Sequence, residues 1–147
     1  SYIAYPLPPY FNNASKRLTK MPKIYFYDTG LLCYLLSIET PDQLENHPLK
    51  GAVFENLAIG ELLKNQYNNS KDPNLYFYRE HSGKEVDALL VTPGGTKLYE
   101  IKAGKVFRAD YKENMDYLKD SISDIVSTTV IYDGESLPPI TLNIRDI

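Results

Sequence analysis

The stretch that decides the fold is EVDALLVTPGGTKLYEIK, residues 85–102, in which two apolar runs flank a Pro-Gly-Gly turn. Valine, leucine, isoleucine and tyrosine favour β-strands, and proline with glycine between two such runs is a strong turn signal. The stretch therefore predicts a β-hairpin. Three charged side chains interrupt its apolar strands, namely Asp87, Glu100 and Lys102.

The length of the turn decides where these charges lie. Side chains two residues apart in a strand share a face, so Glu100 and Lys102 point to the same side. A two-residue turn at 93–94 pairs Asp87 with Glu100, and one at 94–95 pairs it with Lys102. Either register brings two carboxylates and an ammonium onto one face. A turn of odd length would instead place Ile101 opposite Asp87 and separate the charges.

The remaining sequence predicts an α/β domain with a mixed β-sheet flanked by helices. Residues 52–67 have helical length with few breakers, and NLYFYRE at 74–80 is the first of three strands. Residues 109–120 have helical spacing, 124–134 return to a strand, and ITLNI at 140–144 suggests an edge strand. A strand, helix, strand passage usually forms a right-handed parallel crossover, so the sheet should be mixed.

The N-terminal residues have a different character. SYIAYPLPPYFNN, residues 1–13, has three prolines and no charge, which predicts an extended lead-in from a missing upstream module. The domain is then expected at 14–147. Because the chain begins at Ser1 instead of Met, we interpret it as a fragment of a longer protein. KIYFYD at 23–28 predicts a short strand, with Asp28 capping a following helix.

The overall composition limits the function classes. The net charge of −3 gives no support for nucleic-acid binding through bulk charge, so a DNA or RNA partner would need a local basic patch. No segment approaches the roughly 18 uninterrupted apolar residues of a membrane span, so no membrane association is expected. A single cysteine and no signal-peptide pattern fit a reducing compartment. A cytoplasmic location is the resulting expectation.

A third carboxylate is expected near the hairpin charges. Apolar residues occur on almost all sides of the predicted helix that contains Glu55, so this side chain does not lie on an open solvated face. Clustered carboxylates raise one another's pKa unless a cation offsets their charge. Their oxygens suit Mg²⁺ or Mn²⁺, which also accept phosphate oxygens. Asp87, Glu100 and Glu55 are therefore predicted as metal ligands for phosphodiester hydrolysis, with Lys102 stabilising negative charge.

The same charges have a structural alternative, since cross-strand carboxylate and lysine pairs often form solvated ion pairs of little energy. Other basic side chains are candidate phosphate contacts, and Arg79 could instead pair with Glu80 or Glu85. The candidate nucleic-acid contacts are Lys16, Arg17, Lys20, Lys23, Arg79 and Lys105.

The arrangement of Glu55 on a helix, Asp87 in a second strand and Glu100-Ile101-Lys102 in a third resembles the PD-(D/E)XK nuclease superfamily. The resemblance implies a restriction-endonuclease-like αβββαβ core. It also implies that the Asp and Glu bind divalent metal, that the Lys assists catalysis and that the helical Glu contributes. Here Asp87 follows Val86, where the motif has proline.

A closer resemblance is to the domain-of-unknown-function family 4143. It is carried by PYFNNASKRLTKMPKIYFYDTGLL (9–32), HPLKGAVFENLAIGELLK (47–64), YFYRE (76–80), GKEVDALL (83–90) and LYEIK (98–102). In this family the domain usually follows an AAA+ ATPase module, which implies a prokaryotic two-part protein whose ATP site lies upstream. The chain itself contains no G-x-x-x-x-G-K-[ST] phosphate loop, so ATP binding by these residues is not predicted.

Three functional hypotheses follow. The first is a Mg²⁺- or Mn²⁺-dependent phosphodiesterase acting on DNA or RNA. The second is a catalytically inactive nuclease-fold module that binds nucleic acid or protein and regulates the attached ATPase. The third treats the charges as salt bridges and the domain as an oligomerisation unit.

Overall fold

The computed structural model of the chain describes residues 2–11, 20–69 and 71–147. Its strands are β1 (Ala4–Leu7), β2 (Lys23–Phe26), β3 (Leu75–Arg79), β4 (Glu85–Thr92), β5 (Gly95–Ile101), β6 (Ile125–Tyr132) and β7 (Thr141–Asn143). Its α-helices are α1 (Thr29–Leu35), α2 (Pro41–Glu45), α3 (Lys50–Asn68) and α4 (Glu113–Lys119), with short 3₁₀ helices at Ala109–Lys112 and Ile144–Asp146.

The main sheet is mixed and has five strands in the order β3-β4-β5-β6-β7. The first three strands form an antiparallel meander, while β6 runs parallel to β5, and β7 runs parallel to β6. The predicted order of helix, three strands, helix and strand is therefore confirmed, as is the short edge strand near the C-terminus. The structure is an α/β fold with a mixed sheet flanked by helices.

Two apolar clusters hold the helices against this sheet. The first joins buried residues of α3 to the sheet and includes Ala58, Ile59, Leu62, Leu63, Phe77, Ala88 and Leu90. The second joins α4 to the sheet and includes Met115, Leu118, Tyr78, Val86, Leu89 and Leu98. Burial of these side chains contributes the main driving force for folding, at about 25 cal/mol per Å² of apolar surface. Within the described residues, no helix is long and apolar enough to cross a membrane.

β1 lies within the segment that was predicted as an extended lead-in, and it packs on the domain. β1 pairs antiparallel with β2 in a separate two-stranded sheet. Tyr5 and Leu7 are buried in the α3 cluster, and the Tyr10 N–H donates to the Phe77 carbonyl at 2.7 Å. This burial gives residues 4–10 a structural role in the fold, because their removal would expose apolar surface of the core. The presence of an upstream module stays a prediction.

β2 and α1 form where the sequence predicts a short strand followed by a helix. The Asp28 side chain accepts hydrogen bonds from the Gly30 and Leu31 N–H groups and caps α1. One helix was not predicted: α2 lies in a stretch that is rich in turn signals. It forms because Thr40 and Gln43 make a reciprocal capping box at its start.

The β4-β5 turn fixes the register that the sequence left open. Ala88 pairs with Tyr99 and Thr92 with Gly95, which is the register of a two-residue turn at 93–94. Continued by one residue, this register sets Asp87 opposite Glu100. Of the two predicted alignments of the hairpin charges, the structure therefore has the one that a turn at 93–94 produces.

Gly95 is required by this turn, and its neighbour Gly94 is a matched control. Gly95 has φ +123°, and a Cβ there would lie 2.4 Å from Val126 Cγ1 and 2.6 Å from the Asp124 carbonyl oxygen. At Gly94 the nearest atom to an added Cβ is Thr92 Oγ1, at 3.8 Å. We expect Gly95→Ala to lower the free energy of unfolding by about 2–4 kcal/mol, through backbone strain and overpacking, and Gly94→Ala by less than about 1 kcal/mol. Urea denaturation measures both, and equal losses would contradict this account of the turn.

Candidate active site

A cavity of about 720 Å³ lies where β2, α3 and α4 meet the ends of β4 and β5. Its lining is strongly charged. The carboxylates are Glu55, Glu85, Asp87 and Glu100, and the cationic side chains are Lys23, Arg79 and Lys102. The three hairpin charges and the helical Glu55 thus line one cavity.

Asp87 and Glu100 are the most deeply buried of the acidic side chains in this cavity. Asp87 is 9% exposed and Glu100 is 6% exposed. The Ile101 N–H donates a hydrogen bond of 2.8 Å to Asp87 Oδ2, and Lys102 Nζ lies 2.8 Å from Glu100 Oε1. Glu100 Oε2 is buried and has no hydrogen-bond partner in the part of the chain that the structure describes. A buried acceptor without a partner is costly, so this oxygen is a candidate ligand atom.

Burial and the repulsion between neighbouring carboxylates raise the pKa values of Asp87 and Glu100. Burial, with the charges of Glu100 and Glu55, raises the pKa of Asp87 to about 8. Burial also raises the pKa of Glu100, although the hydrogen bond and charge of Lys102 oppose that shift. At neutral pH the pair therefore retains a proton. A divalent cation would compete with that proton, because metal ligands must be deprotonated.

Lys102 remains a cation in this setting. Burial lowers the pKa of its ammonium, but the hydrogen bond and charge of Glu100 outweigh burial, and the net pKa is raised. Its Nζ also lies 5.5 Å from the centroid of the Tyr111 ring. Lys102 is thus suited to stabilise negative charge and is not suited to accept a proton.

Glu55 belongs to a second group of charges at the same cavity. Its Oε1 accepts hydrogen bonds from Lys23 Nζ at 2.8 Å and from the Tyr25 hydroxyl at 2.5 Å. Lys23 Nζ also lies 2.6 Å from Glu85 Oε1, and Arg79 donates two hydrogen bonds to the Glu85 carboxylate. Every carboxylate in this group therefore has a cationic partner in the protein.

The sequence profile of DUF4143, a domain of unknown function, matches residues 50–145. The chain belongs to the DUF4143 family. A second profile, DUF8612, also a domain of unknown function, matches residues 1–42. No solved structure matches the DUF4143 chain.

Two curated relatives of this DUF4143 chain come from mycobacteria. Uncharacterized proteins of Mycobacterium bovis (Mb2031c) and Mycobacterium tuberculosis (Rv2008c) are each 30% identical to it over 137 residues. The alignment covers 92% of this chain but only 29% of each relative. The chain therefore spans less than a third of the length of these relatives.

A bulge in β4 of the DUF4143 domain lies at the buried Asp87. Tyr76 and Tyr78 of β3 pair with residues 89 and 86 of β4, so two steps along β3 match three along β4. The extra residue lies within 87–88. Bulges interrupt the strict alternation of faces along a strand and are frequent next to active sites. The bulge thus gives Asp87 a local backbone that a regular strand would not provide.

The predicted ligand set of Asp87, Glu100 and Glu55 is only partly assembled. All three side chains line the cavity, but Glu55 is held by Lys23 and Tyr25. Among residues 2–11, 20–69 and 71–147, no group of three or more His, Cys, Asp or Glu side chains is placed to hold a metal ion. Among the described residues that line the cavity, Asp87 is in no ion pair with a lysine or arginine, and Glu100 Oε2 has no hydrogen-bond partner.

The candidate nucleic-acid contacts have different surroundings. Lys16 and Arg17 lie outside the described residues. Lys20 and Lys105 are exposed and stay available as phosphate contacts. Arg79 pairs with Glu85, which is one of the two alternatives that the sequence left open.

Lys23 was predicted as a phosphate contact together with Lys16, Arg17 and Lys20. Its side chain, however, is only 18% exposed. Sequence reasoning also missed Tyr25, whose hydroxyl holds Glu55. The predicted strand at 23–28 contained a signal for the shared position of Lys23 and Tyr25, because residues two apart in a strand share a face. In the structure both side chains contact Glu55.

Proposed function

We propose that this DUF4143 domain hydrolyses phosphodiester bonds of nucleic acid with Mg²⁺ or Mn²⁺ held by Asp87 and Glu100. The observation that carries the proposal is Glu100 Oε2, a buried oxygen with no hydrogen-bond partner among the described residues. It lies in a cavity that also contains Asp87, whose pKa burial raises, and the ammonium of Lys102.

The two carboxylates fit a hard divalent cation. Mg²⁺ is usually held by one or two carboxylates, keeps several waters and accepts substrate phosphate oxygens as further ligands. When bound, such an ion polarises the phosphate and lowers the pKa of a coordinated water. The site would therefore be completed by water and substrate, so a third protein carboxylate is not required.

The side chains of the domain have separate tasks in this proposal. Asp87 and Glu100 bind the ion, and the Ile101 N–H fixes the orientation of Asp87 through its 2.8 Å hydrogen bond. Lys102, held by Glu100 and the Tyr111 ring, places a positive charge where negative charge develops on the phosphate. Its side chain is 38% exposed, so substrate can reach it from the cavity.

The order of elements supports this assignment. α3, β3, β4, β5, α4 and β6 follow one another as the αβββαβ core of restriction-endonuclease-like proteins does. We infer that the domain belongs to the PD-(D/E)XK superfamily. We also infer that it is attached to an AAA+ ATPase module, for which the additional length of the mycobacterial relatives leaves room. ATP would bind that module.

A second candidate function is binding without catalysis. It is favoured by Lys23 and Arg79, which neutralise Glu55 and Glu85 without any metal. In this alternative the domain keeps a nuclease-like fold to bind nucleic acid or protein and regulates the attached ATPase.

A cleavage assay with the purified chain distinguishes the two candidates. Labelled single-stranded DNA, double-stranded DNA and RNA are incubated with Mg²⁺ or Mn²⁺, with and without excess EDTA. We expect cleavage of at least one substrate that EDTA stops and added Mn²⁺ restores. Binding of a substrate without cleavage under every metal condition would contradict the enzymatic proposal and support the regulatory one.

A further inference from the structure

Lys23 occupies a position inside the cavity that is unusual for a surface lysine. Its Nζ lies 2.8 Å from Glu55 Oε1 and 2.6 Å from Glu85 Oε1, on side chains that are 18%, 25% and 28% exposed. The same Nζ is 5.5 Å from the centroid of the Phe77 ring. One ammonium therefore bridges two carboxylates that come from different elements, α3 and β4.

The charges divide the cavity into two halves. In the first half, Glu55 and Glu85 share Lys23, while Tyr25 donates to Glu55 and Arg79 donates to Glu85. This half is neutralised by the protein itself.

In the second half, Lys102 pairs with Glu100, whereas Asp87 is in no ion pair among the described residues, and Glu100 Oε2 has no hydrogen-bond partner there. Of the carboxylates in the described part of the cavity, Asp87 is thus the one without a lysine or arginine partner.

We propose that Lys23 is the resident cation of the Glu55–Glu85 pair, so that the cavity takes one divalent ion, at Asp87 and Glu100, and not two. This inference deepens the proposed function and rests on its metal site. In two-metal phosphodiesterases both ions stabilise the attacking and leaving oxygens. Here the ammonium of Lys23 takes the place that a second ion would need, and it cannot coordinate a water as a metal does.

The test is a titration of the purified chain with Mn²⁺, in which free Mn²⁺ is followed by electron paramagnetic resonance. We expect about one ion per wild-type chain. Lys23→Met removes the ammonium but keeps an apolar stem, so we expect about two ions, the second at Glu55 and Glu85. Lys23→Arg keeps the charge and should stay at one.

Two further variants complete the design. Lys50→Met removes a lysine that pairs with Glu45 at 2.6 Å outside the cavity, and it should stay at one ion. Glu85→Gln added to Lys23→Met removes one of the two carboxylates that the second ion would need, and it should return the count to one.

Asp87→Asn leaves Lys23 and its partners in place, so it keeps the test independent of how well Lys23→Met folds. We expect this variant to bind no ion, because its only divalent site is lost. One ion remaining in Asp87→Asn, or two in the wild-type chain, would overturn the inference.

The outcomes separate this inference from the proposed function. If both the wild-type chain and Lys23→Met bind one ion, the role of Lys23 is refuted and the metal site stands. If the wild-type chain binds none and Lys23→Met binds one, the role of Lys23 stands and the metal site at Asp87 and Glu100 is refuted. If neither binds an ion, both are refuted.

Discussion

Asp87→Asn should abolish metal-dependent phosphodiester hydrolysis while leaving the fold intact. We expect activity to fall by about 10³-fold or more, equivalent to ~4 kcal/mol of transition-state stabilisation, because the site loses one of its two carboxylate ligands. The asparagine carbonyl oxygen can still accept the Ile101 N–H, so the backbone geometry is retained. Cleavage rates under saturating Mn²⁺ measure the loss. Glu45→Gln, at an exposed ion pair, is the matched control and should keep full activity.

The same substitution should make the protein more stable in alkaline solution. The pKa of Asp87 is raised in the folded state, so its contribution to stability is fully present below the unfolded pKa of about 4. That contribution is lost as the pH rises through about 8, where the buried carboxyl group must ionise. Asparagine has no proton to lose. Between pH 5 and pH 8.5 the Asp87→Asn variant should therefore gain on the wild-type chain by roughly 2 kcal/mol or more.

Urea denaturation at these two pH values measures the gain. The lowered pKa values of Glu80 and Glu85 affect stability mainly below about pH 4.5, so they do not interfere in this range. If the difference in free energy of unfolding between Asp87→Asn and the wild-type chain were the same at pH 5 and at pH 8.5, the burial of Asp87 in a protonated form would be contradicted. Stabilisation with loss of activity is the usual sign of a functional site whose charges are costly to the fold.

Lys102→Met should lower kcat by about 10²–10³-fold without loss of metal binding. The reason is that Lys102 contributes positive charge toward the reacting phosphate, whereas Asp87 and Glu100 hold the ion. Single-turnover cleavage measures kcat, and calorimetric titration with Mn²⁺ measures binding. Lys64→Met, which removes an exposed lysine paired with Glu61 at 2.8 Å, should change neither quantity.

A different pattern would point to another role for Lys102. If Lys102→Met bound no Mn²⁺, its ammonium would be needed to assemble the site. If kcat were unchanged, the role of Lys102 would be limited to its ion pair with Glu100. That result would support the alternative, raised from the sequence, that these charges form only structural salt bridges.

Much of the fold and the centre of the candidate site could be predicted from local sequence patterns. The hairpin at 85–102 was predictable because turn chemistry and strand propensity agree there. Counting outward from a two-residue turn placed Asp87 opposite either Glu100 or Lys102, and the structure has the first of these registers. Helical projection placed Glu55 away from open solvent, and it does line the cavity.

The rest depended on contacts between residues distant in the sequence. Lys23 and Glu55 are 32 positions apart, so nothing in the sequence around Lys23 shows that it has a carboxylate partner on α3. The bulge at 87–88 appears only when β4 is compared with β3, since it is a shift in the pairing register between the two strands. The packing of β1 on the core was hidden by the three prolines of residues 1–13, which are also typical of a linker.

The most direct test of the central claim is the anomalous diffraction of crystals of the chain soaked in Mn²⁺. We predict one anomalous peak within coordination distance of Asp87 and of Glu100 Oε2, with Lys23 still bridging Glu55 and Glu85. No peak between Asp87 and Glu100, or a peak only at Glu55 and Glu85, would contradict the account.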